Sequence, residues 1–384
     1  PRFSALPPLS LYIHVPWCLR KCPYCDFNSH EARGEVPEQE YIAALTADLE
    51  QALPRVWGRR VGTVFFGGGT PSLLSARGVD AILGMARARL PLAADAEITL
   101  EANPGTFEAG KFRDYRAAGV NRLSVGIQSF DPRHLRALGR VHDGDEARRA
   151  VEIACAHFDN FNLDLMYALP GQTPGEALAD IGAALAYRPP HLSCYHLTIE
   201  PNTWFHRHPP VLPDEDAATD MQDAIEQALA AAGYGHYETS AFARPGARCA
   251  HNLNYWTFGD YLGIGAGAHS KLSFADRVER EMRFRQPRQY MAQAARGAAV
   301  QQVQQVEARE LGVEFMMNAL RLNDGFEAGL FAERSGLPLA AVLPQLDEAE
   351  RRGLLVRDHR RIAPTPRGRR FLNDLLQIFL AGSR

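Results

Sequence analysis

The 384-residue sequence is poor in lysine, because only Lys21, Lys111 and Lys271 contribute to its 42 basic residues. Its net charge is −3, so no excess of positive charge attracts nucleic acid or an anionic membrane. No apolar run reaches the ~18–20 residues of a membrane-spanning helix, and the first residues lack the basic start and apolar stretch of a signal peptide. These absences predict a cytoplasmic protein with no transmembrane segment and no nucleic-acid partner.

Cysteine is also scarce, and internal repeats and low-complexity tracts are absent. Of the six cysteines, Cys18, Cys22 and Cys25 are clustered, whereas Cys155, Cys194 and Cys249 are scattered. A disulfide scaffold would spread its cysteines over a much shorter chain, and cytoplasmic thiols stay reduced. The cluster therefore indicates metal chemistry.

The first half of the chain alternates short β-rich runs with segments of helical periodicity. The predicted strands are Leu9–Val15, Val61–Phe66, Ile98–Glu101, Arg122–Ile127, Asn162–Met166 and Leu192–Ile199. The predicted helices are Glu38–Leu53, Ala76–Leu90, Phe107–Ala118, Asp145–His157 and Pro174–Tyr187. This alternation predicts an α/β fold with parallel strands and crossover helices, either an open doubly wound sheet or an incomplete (β/α) barrel.

The second half has a different pattern. A helix is predicted over Asp216–Ala232, and the glycine- and aromatic-rich stretch Tyr234–Gly267 has no clear assignment. From about Glu307 we predict three helices, a hairpin over Leu354–Ala363 and a last helix over Thr365–Leu380. This order resembles a winged-helix module, but acidic residues partly balance its arginines, which favours a packing domain over a DNA-binding one.

Polar residues and glycines cluster near the ends of the predicted strands. They form the segments Gly67–Ser72, Glu101–Pro104 and Gly126–Ser129, together with Asp164. In barrels and open α/β sheets alike, the carboxyl edge of the parallel strands carries the functional groups. The sequence therefore predicts a binding site at this edge.

The strongest chemical signal is the loop Cys18–Cys25, which follows the first strand with the spacing CxxxCxxC. Iron–sulfur cubanes are normally held by four thiolates, so three would leave one iron open to another ligand. The alternatives are incidental cysteines or a zinc site, which His14 or His30 would have to complete.

This loop resembles the signature of radical S-adenosylmethionine (SAM) proteins. The resemblance implies a [4Fe-4S] cluster on Cys18, Cys22 and Cys25 whose open iron is chelated by the amine and carboxylate of SAM. An electron from the cluster then cleaves the sulfonium to a 5′-deoxyadenosyl radical. The implied fold is a partial (β/α)6 barrel followed by a helical, winged-helix-like module.

The resemblance extends over nearly the whole chain to the coproporphyrinogen III oxidase-like group. The matching segments are Leu11–Cys18, Gly67–Ser72, Glu101–Pro104, Gly126–Phe130, Leu138–Arg140 and the C-terminal helical module. The SAM-binding residues that this resemblance implies are Tyr12, Tyr24, Gly68, Gly69, Thr70, Glu101, Gln128, Arg140 and Asp164.

Two features distinguish members of this group. In coproporphyrinogen III dehydrogenases of the group a further cysteine follows the triad after one intervening residue, whereas Asp26 and Phe27 follow Cys25 here. The segment His251–Trp256 is similar to the HNxxYW motif of the heme chaperone HemW family, which implies axial ligation of heme iron by His251. Alternatively, His251 only holds an irregular loop in place; Cys249 is a weaker candidate for contacting heme.

The sequence thus predicts a heme chaperone that carries a [4Fe-4S] cluster and SAM. Its expected partners are heme and heme-acceptor proteins, such as those of the respiratory chain. The expected domains are a barrel over residues 1–200, an extension with the heme motif over 201–305 and a C-terminal domain over 306–384. The alternative function is an oxygen-independent coproporphyrinogen III dehydrogenase.

Overall fold

The structure is a computed structural model that describes residues 1–105 and 110–381. Its strands are β1 Leu9–Val15, β2 Trp17–Cys18, β3 His30–Glu31, β4 Val61–Gly68, β5 Leu92–Ala102, β6 Arg122–Gln128, β7 Phe161–Tyr167, β8 His191–His196, β9 Gly235–Glu238, β10 Ala241–Ala243, β11 Asp260–Ile264, β12 His269–Ser273, β13 Val278–Arg283, β14 Val300–Gln305, β15 Phe326–Glu327, β16 Leu355–Arg357 and β17 Arg361–Pro364.

Its α-helices are α1 Glu38–Val56, α2 Ala76–Arg89, α3 Phe112–Ala118, α4 Pro132–Ala137, α5 Gly144–His157, α6 Pro174–Ala186, α7 Trp204–Arg207, α8 Glu215–Ala231, α9 Ala250–Trp256, α10 Pro287–Ala294, α11 Ala308–Ala319, α12 Ala328–Ser335, α13 Leu343–Arg351, α14 Pro366–Arg370 and α15 Leu372–Ala381. Short 3₁₀ helices cover Pro71–Leu73 and Leu339–Val342.

A twelve-stranded sheet organises the chain, in the order β14-β13-β12-β11-β1-β4-β5-β6-β7-β8-β10-β9. The six strands β1, β4, β5, β6, β7 and β8 pair in parallel, and the connections between them carry α1 to α6. Because the sheet ends at β14 and β9, it does not close on itself. The predicted partial (β/α)6 barrel is confirmed.

A seventh parallel strand comes from the segment that the sequence pattern left unassigned. Strand β11 pairs with β1 in parallel, from Leu9 opposite Asp260 to Ile13 opposite Ile264. Strands β12, β13 and β14 continue the sheet in antiparallel order beyond it. Residues 201–305 therefore contribute strands to both edges of the same sheet as the barrel.

The predicted elements of the barrel agree with the observed ones to within a few residues, with two exceptions. The predicted strand Ile98–Glu101 is the end of the longer β5, and the predicted helix Phe107–Ala118 begins at Phe112, with residues 106–109 outside the described part. Local capping explains the agreement elsewhere. For example, Asp143 and Glu146 form a capping box that starts α5.

The C-terminal part packs around its own cluster of buried side chains, which includes Leu311, Phe315, Phe331 and Leu346. Three helices, α11 to α13, precede the hairpin β16–β17, as predicted, and the short β15 pairs with β17. The predicted last helix is wrong in one respect, because it is divided at Phe371 into α14 and α15. Within the described residues, no helix combines the length and the apolar character needed to cross a membrane.

A buried ionic network joins the barrel to its extension. Asp48 on α1 accepts hydrogen bonds from the Tyr290 hydroxyl at 2.9 Å and from the backbone N–H of Gly265 at 3.1 Å. The guanidinium of Arg283 on β13 is fully buried and pairs with Asp48 at 3.3 Å and with Glu281 at 2.8 Å. Buried charges of this kind are tolerated only while every partner is present.

We expect Arg283→Met to lower the free energy of unfolding by about 3–5 kcal/mol, because it leaves the buried Asp48 without its cation and Glu281 with Arg55 alone. Chemical denaturation followed by circular dichroism measures this change. The exposed ion pair of Arg113 with Asp114 is the control, and Arg113→Met should cost less than ~1 kcal/mol. Similar losses in the two variants would contradict a structural role for the network.

Candidate functional site

The three clustered cysteines lie on the loop that begins at β2. Cys18 is buried, Cys22 and Cys25 are half-buried, and all three are free thiols. The loop is held in shape by the backbone N–H of Cys25, which donates to the carbonyl of Cys22 at 3.1 Å, and by the pairing of β2 with β3. Burial raises the pKa of the Cys18 and Cys25 thiols. Both are therefore protonated at neutral pH, and a metal that binds them must displace their protons.

Arg140 connects this loop to the strand ends. Its Nη1 donates to the Cys22 sulfur at 3.5 Å, and its Nη2 donates to Asn103 Oδ1 at 2.7 Å and to the carbonyl of Gly126 at 2.8 Å. Its buried Nε has no hydrogen-bond partner. The arginine thus places a positive charge where thiolate ligands would bring negative charge.

The zinc alternative finds no support in the geometry of the described residues. His14 is bonded through Nδ1 to the Tyr12 hydroxyl at 3.0 Å and through Nε2 to the carbonyl of Asn28 at 2.8 Å. His30 lies 3.3 Å from the carbonyl of Arg285. Within the described ranges, one group of three or more potential ligands lies within 4.8 Å of one another: Asp131, His134 and Glu176. The cysteines are not drawn together around a single ion.

At the end of β4, two positions are packed so closely against neighbouring residues that only glycine fits. Gly68 has φ +115°, and a Cβ there would lie 2.6 Å from the His14 ring. A Cβ on Gly69 would lie 2.5 Å from the carbonyl oxygen of Trp17. Both contacts are too short for a side chain, so these glycines bring the turn directly against β1 and the cysteine loop. Thr70 follows the turn and is buried, accepting a hydrogen bond from Asn103 at 3.1 Å.

Two half-buried carboxylates lie on the strands that follow this turn. Glu101, at the end of β5, accepts a hydrogen bond from the backbone N–H of Gly68 at 3.2 Å. Burial, with a further contribution from Asp164, raises the pKa of Glu101 to about 8. Asp164 lies in the middle of β7 and accepts from Ser124 and Asn162, each at 2.9 Å. Burial raises its pKa as well, so a cation placed between these carboxylates would stabilise their ionised forms.

The remaining SAM candidates lie around the same edge. Gln128 ends β6 with the unusual φ of +67°, and its side-chain amide makes no hydrogen bond to any described residue. Tyr12 on β1 lies near the ring of Phe65, with the ring centroids 6.3 Å apart. Tyr24 packs near Phe205, and burial raises its pKa.

His251 on α9 is more enclosed than the sequence indicated. It is 1% exposed, and its ring stacks on Phe65 with a centroid separation of 4.9 Å. Its Nδ1 lies 2.7 Å from the Thr63 hydroxyl, which donates to Ser10. Nδ1–H therefore donates to Thr63, and Nε2 accepts from the Tyr255 hydroxyl at 3.1 Å. Burial lowers the pKa of His251 to about 3, so the ring is neutral.

Two cavities share the wall formed by Tyr12, Glu101 and Tyr255. The smaller, of about 220 Å³, is lined by polar groups that include Asp164 and His251. The larger, of about 620 Å³, opens between the barrel, strands β11 to β13 and α11. Its lining is rich in aromatic and basic side chains: Phe27, Tyr255, Trp256, Phe258, Tyr261, His269, Lys271, Arg280 and Arg285. This volume is typical of sites for medium-sized organic ligands.

The structure brings Tyr12, Gly68 and Glu101 to this larger cavity and places Asp164 in the smaller one. Arg140 is bonded to protein groups beside Cys22, and Tyr24 packs in a neighbouring apolar cluster. Sequence reasoning missed His269 and Arg285, because each is an isolated residue in a segment without a motif. Their position follows from the pairing of β12 with β13.

Comparisons with known proteins identify the family of the chain. Residues 12–182 match the family model of the Radical SAM superfamily, and residues 306–371 match that of the HemN C-terminal domain. The chain is 52% identical over 380 residues to the heme chaperone HemW of Escherichia coli (strain K12), covering 98% of this chain and 99% of that protein. It is 33% identical to the heme chaperone HemW of Bacillus subtilis (strain 168), over 97% and 99%.

Among solved structures, the chain is similar to the coproporphyrinogen III oxidase HemN of Escherichia coli, described as a radical SAM enzyme. The TM-score is 0.83 at 25% sequence identity, and the match covers 97% of this chain and 90% of that one. The likeness includes both the barrel and the C-terminal helical part.

Proposed function

Because this chain belongs to the heme chaperone HemW family of radical SAM proteins, we propose that it binds heme and delivers it to acceptor proteins. The observation that carries the proposal is the aromatic cavity of about 620 Å³ beside the strand ends. Its wall includes Tyr255 and Trp256 of the HNxxYW segment. A porphyrin is a flat apolar ring with two carboxylates, and this lining offers aromatic faces together with arginines.

We also propose that Cys18, Cys22 and Cys25 hold a [4Fe-4S] cluster. Three free thiols on one short loop match the donor set of an iron–sulfur site, and Arg140 offsets part of its negative charge. Of the other cysteines, Cys249 lies 3.6 Å from Glu97, and Cys194 is buried in β8, so neither belongs to this loop. The cluster would supply the electron for reductive cleavage of SAM.

Glu101, Asp164 and Gln128 are proposed to bind SAM, with Gly68, Gly69 and Thr70 forming the turn against which it lies. The sulfonium of SAM is cationic, and it suits a site where two half-buried carboxylates lack a full set of positive partners. Tyr12, Tyr24 and Arg140 border this site. Their part is to orient the cysteine loop and to exclude water from it.

The function is tested by loading the reconstituted full chain with ferric heme and mixing it with the apo form of a respiratory-chain b-type hemoprotein. We expect the acceptor's heme spectrum to appear faster than with an equal concentration of free heme. In a parallel anaerobic assay with SAM and a reductant, coproporphyrinogen III should remain unconverted, since Phe27 occupies the position of the dehydrogenase cysteine. Formation of protoporphyrinogen would contradict the proposal and establish the dehydrogenase instead.

The cluster is tested with single cysteine variants. Cys22→Ala should lose most of the bound iron and the charge-transfer absorbance after anaerobic reconstitution, because its sulfur is one of only three available ligands. Cys155→Ala is the matched control, since that thiol is exposed on α5, and its iron content should equal that of the wild type. Equal iron in both variants would remove the loop from the cluster site.

The affinity for SAM should depend on pH through Glu101. The pKa of this carboxyl is about 8 in the ligand-free protein, so it must lose a proton when a cation binds beside it. Affinity should therefore rise as the pH increases from 6 to 8, by up to about tenfold per pH unit, and level off above pH 8. Titration calorimetry measures this profile. Glu101→Gln should bind SAM weakly without this rise, and an unchanged profile in that variant would exclude Glu101 as its source.

A further inference from the structure

Four histidines border the cavities, His14 and His269 the larger one and His191 and His251 the smaller one. Both ring nitrogens of His14 and both of His191 are hydrogen-bonded, which leaves His251 and His269 to compare. The ring nitrogens of His251 are both used, one by Thr63 and the other by Tyr255, and the side chain is buried beside the smaller cavity. Ligation of iron requires a free lone pair on one ring nitrogen. His251 would have to give up the hydrogen bond from Tyr255 and leave its buried position to provide one.

His269 has the opposite environment. It is exposed at the start of β12, it lines the larger cavity, and its ring makes no hydrogen bond to any described residue. Partial desolvation of the ring, reinforced by the positive charges of Arg280 and Arg285, lowers the pKa of His269, which favours the neutral imidazole with an available lone pair at pH 7. It is thus the histidine of this cavity that can bind a metal without breaking an existing contact.

The residue opposite His269 is a second side chain on this wall that could ligate iron. Met282 on β13 is its direct partner in the antiparallel pair, and both line the larger cavity. Side chains at directly opposed positions project from the same face of a sheet, about 5 Å apart. They cannot approach one iron from opposite sides, so only one of them can be an axial ligand while the other packs against the porphyrin.

The two arginines that line the cavity differ in whether their guanidinium groups already have partners. Arg280 is held by Glu314 and by the Tyr261 hydroxyl, at 2.9 Å from the latter. Arg285 is exposed, and its guanidinium forms no ion pair or hydrogen bond with any described residue. Its backbone is nevertheless fixed, because its carbonyl accepts from Asn28 Nδ2 at 2.9 Å. Arg285 is therefore a free cation at a defined position on the cavity wall.

We propose that His269, not His251, is the axial protein ligand of heme iron in this cavity and that Arg285 binds one heme propionate. This inference rests on the proposed heme-binding function. It assigns to the HNxxYW segment a different part, in which His251 holds the Tyr255 hydroxyl and Tyr255 and Trp256 form the wall of the porphyrin site.

The test is an anaerobic titration of the reconstituted full chain with ferric heme, followed by absorption and electron paramagnetic resonance spectra. The wild type should bind one heme with the spectral signature of histidine ligation. His269→Ala should lose that signature and bind heme at least about tenfold more weakly, and added imidazole should restore the signature. Arg285→Ala should weaken binding several-fold and leave the signature unchanged.

Each variant has a control that removes the same type of exposed residue elsewhere on the chain. His359→Ala removes an exposed histidine from the C-terminal hairpin, and Arg288→Ala removes an exposed arginine three residues beyond Arg285; neither should alter binding. His251→Ala should keep the histidine signature. If His269→Ala keeps it and His251→Ala loses it, the inference is wrong and the proposed function stands. If the wild type binds no heme, the proposed function itself fails.

Discussion

Strand β1 pairs in parallel with β4 on one side and with β11 on the other, and the rest of the site depends on this pairing. The register places Tyr12 beside Phe65 and Gly263, and it brings the turn at Gly68 to the end of the same strand. The cysteine loop leaves β1 at this end. Because β11 is joined directly to β12 and β13, the same strand also fixes one wall of the larger cavity.

The charges of the site are separated in space. The half-buried carboxylates Glu101 and Asp164 lie on the barrel side, whereas Lys271, Arg280 and Arg285 line the side formed by the extension. Lys271 is already neutralised by Asp260 at 2.9 Å, and Arg280 by Glu314, so Arg285 is the cation of that wall without a partner among the described residues. Such a division suits a cationic ligand at the strand ends and an anionic, aromatic one beside it.

The barrel strands and helices, and the position of the cysteine loop, could be predicted from the sequence, because both depend on local patterns. Apolar runs indicate strands, and capping residues indicate where helices begin, as Asp143 and Glu146 do for α5. Both signals come from residues that are close together in the sequence. Strand β11 could not be predicted, because it is only five residues long and is surrounded by glycines and aromatic residues. Its structure is determined by pairing with β1, some 250 residues earlier in the chain.

The individual roles of site residues were harder to predict, for the same reason. A motif shows that His251 is present but not that Thr63, 188 residues away, occupies its Nδ1. Likewise, the sequence does not show that Arg140 bonds to Cys22, Asn103 and Gly126, and its contact with SAM stays a prediction. The axial ligation of heme by His251, expected from the motif, stays a prediction in competition with His269.

The central claim is that heme lies in the cavity between the strand ends and the β11–β13 extension. Crystals of the full chain, reconstituted with iron and sulfide and loaded with heme, test it through an iron anomalous difference map. The account predicts one strong peak at the loop of Cys18, Cys22 and Cys25, and a second within bonding distance of a side chain that lines the larger cavity. A heme iron on the outer surface of the chain, away from this cavity, would contradict it.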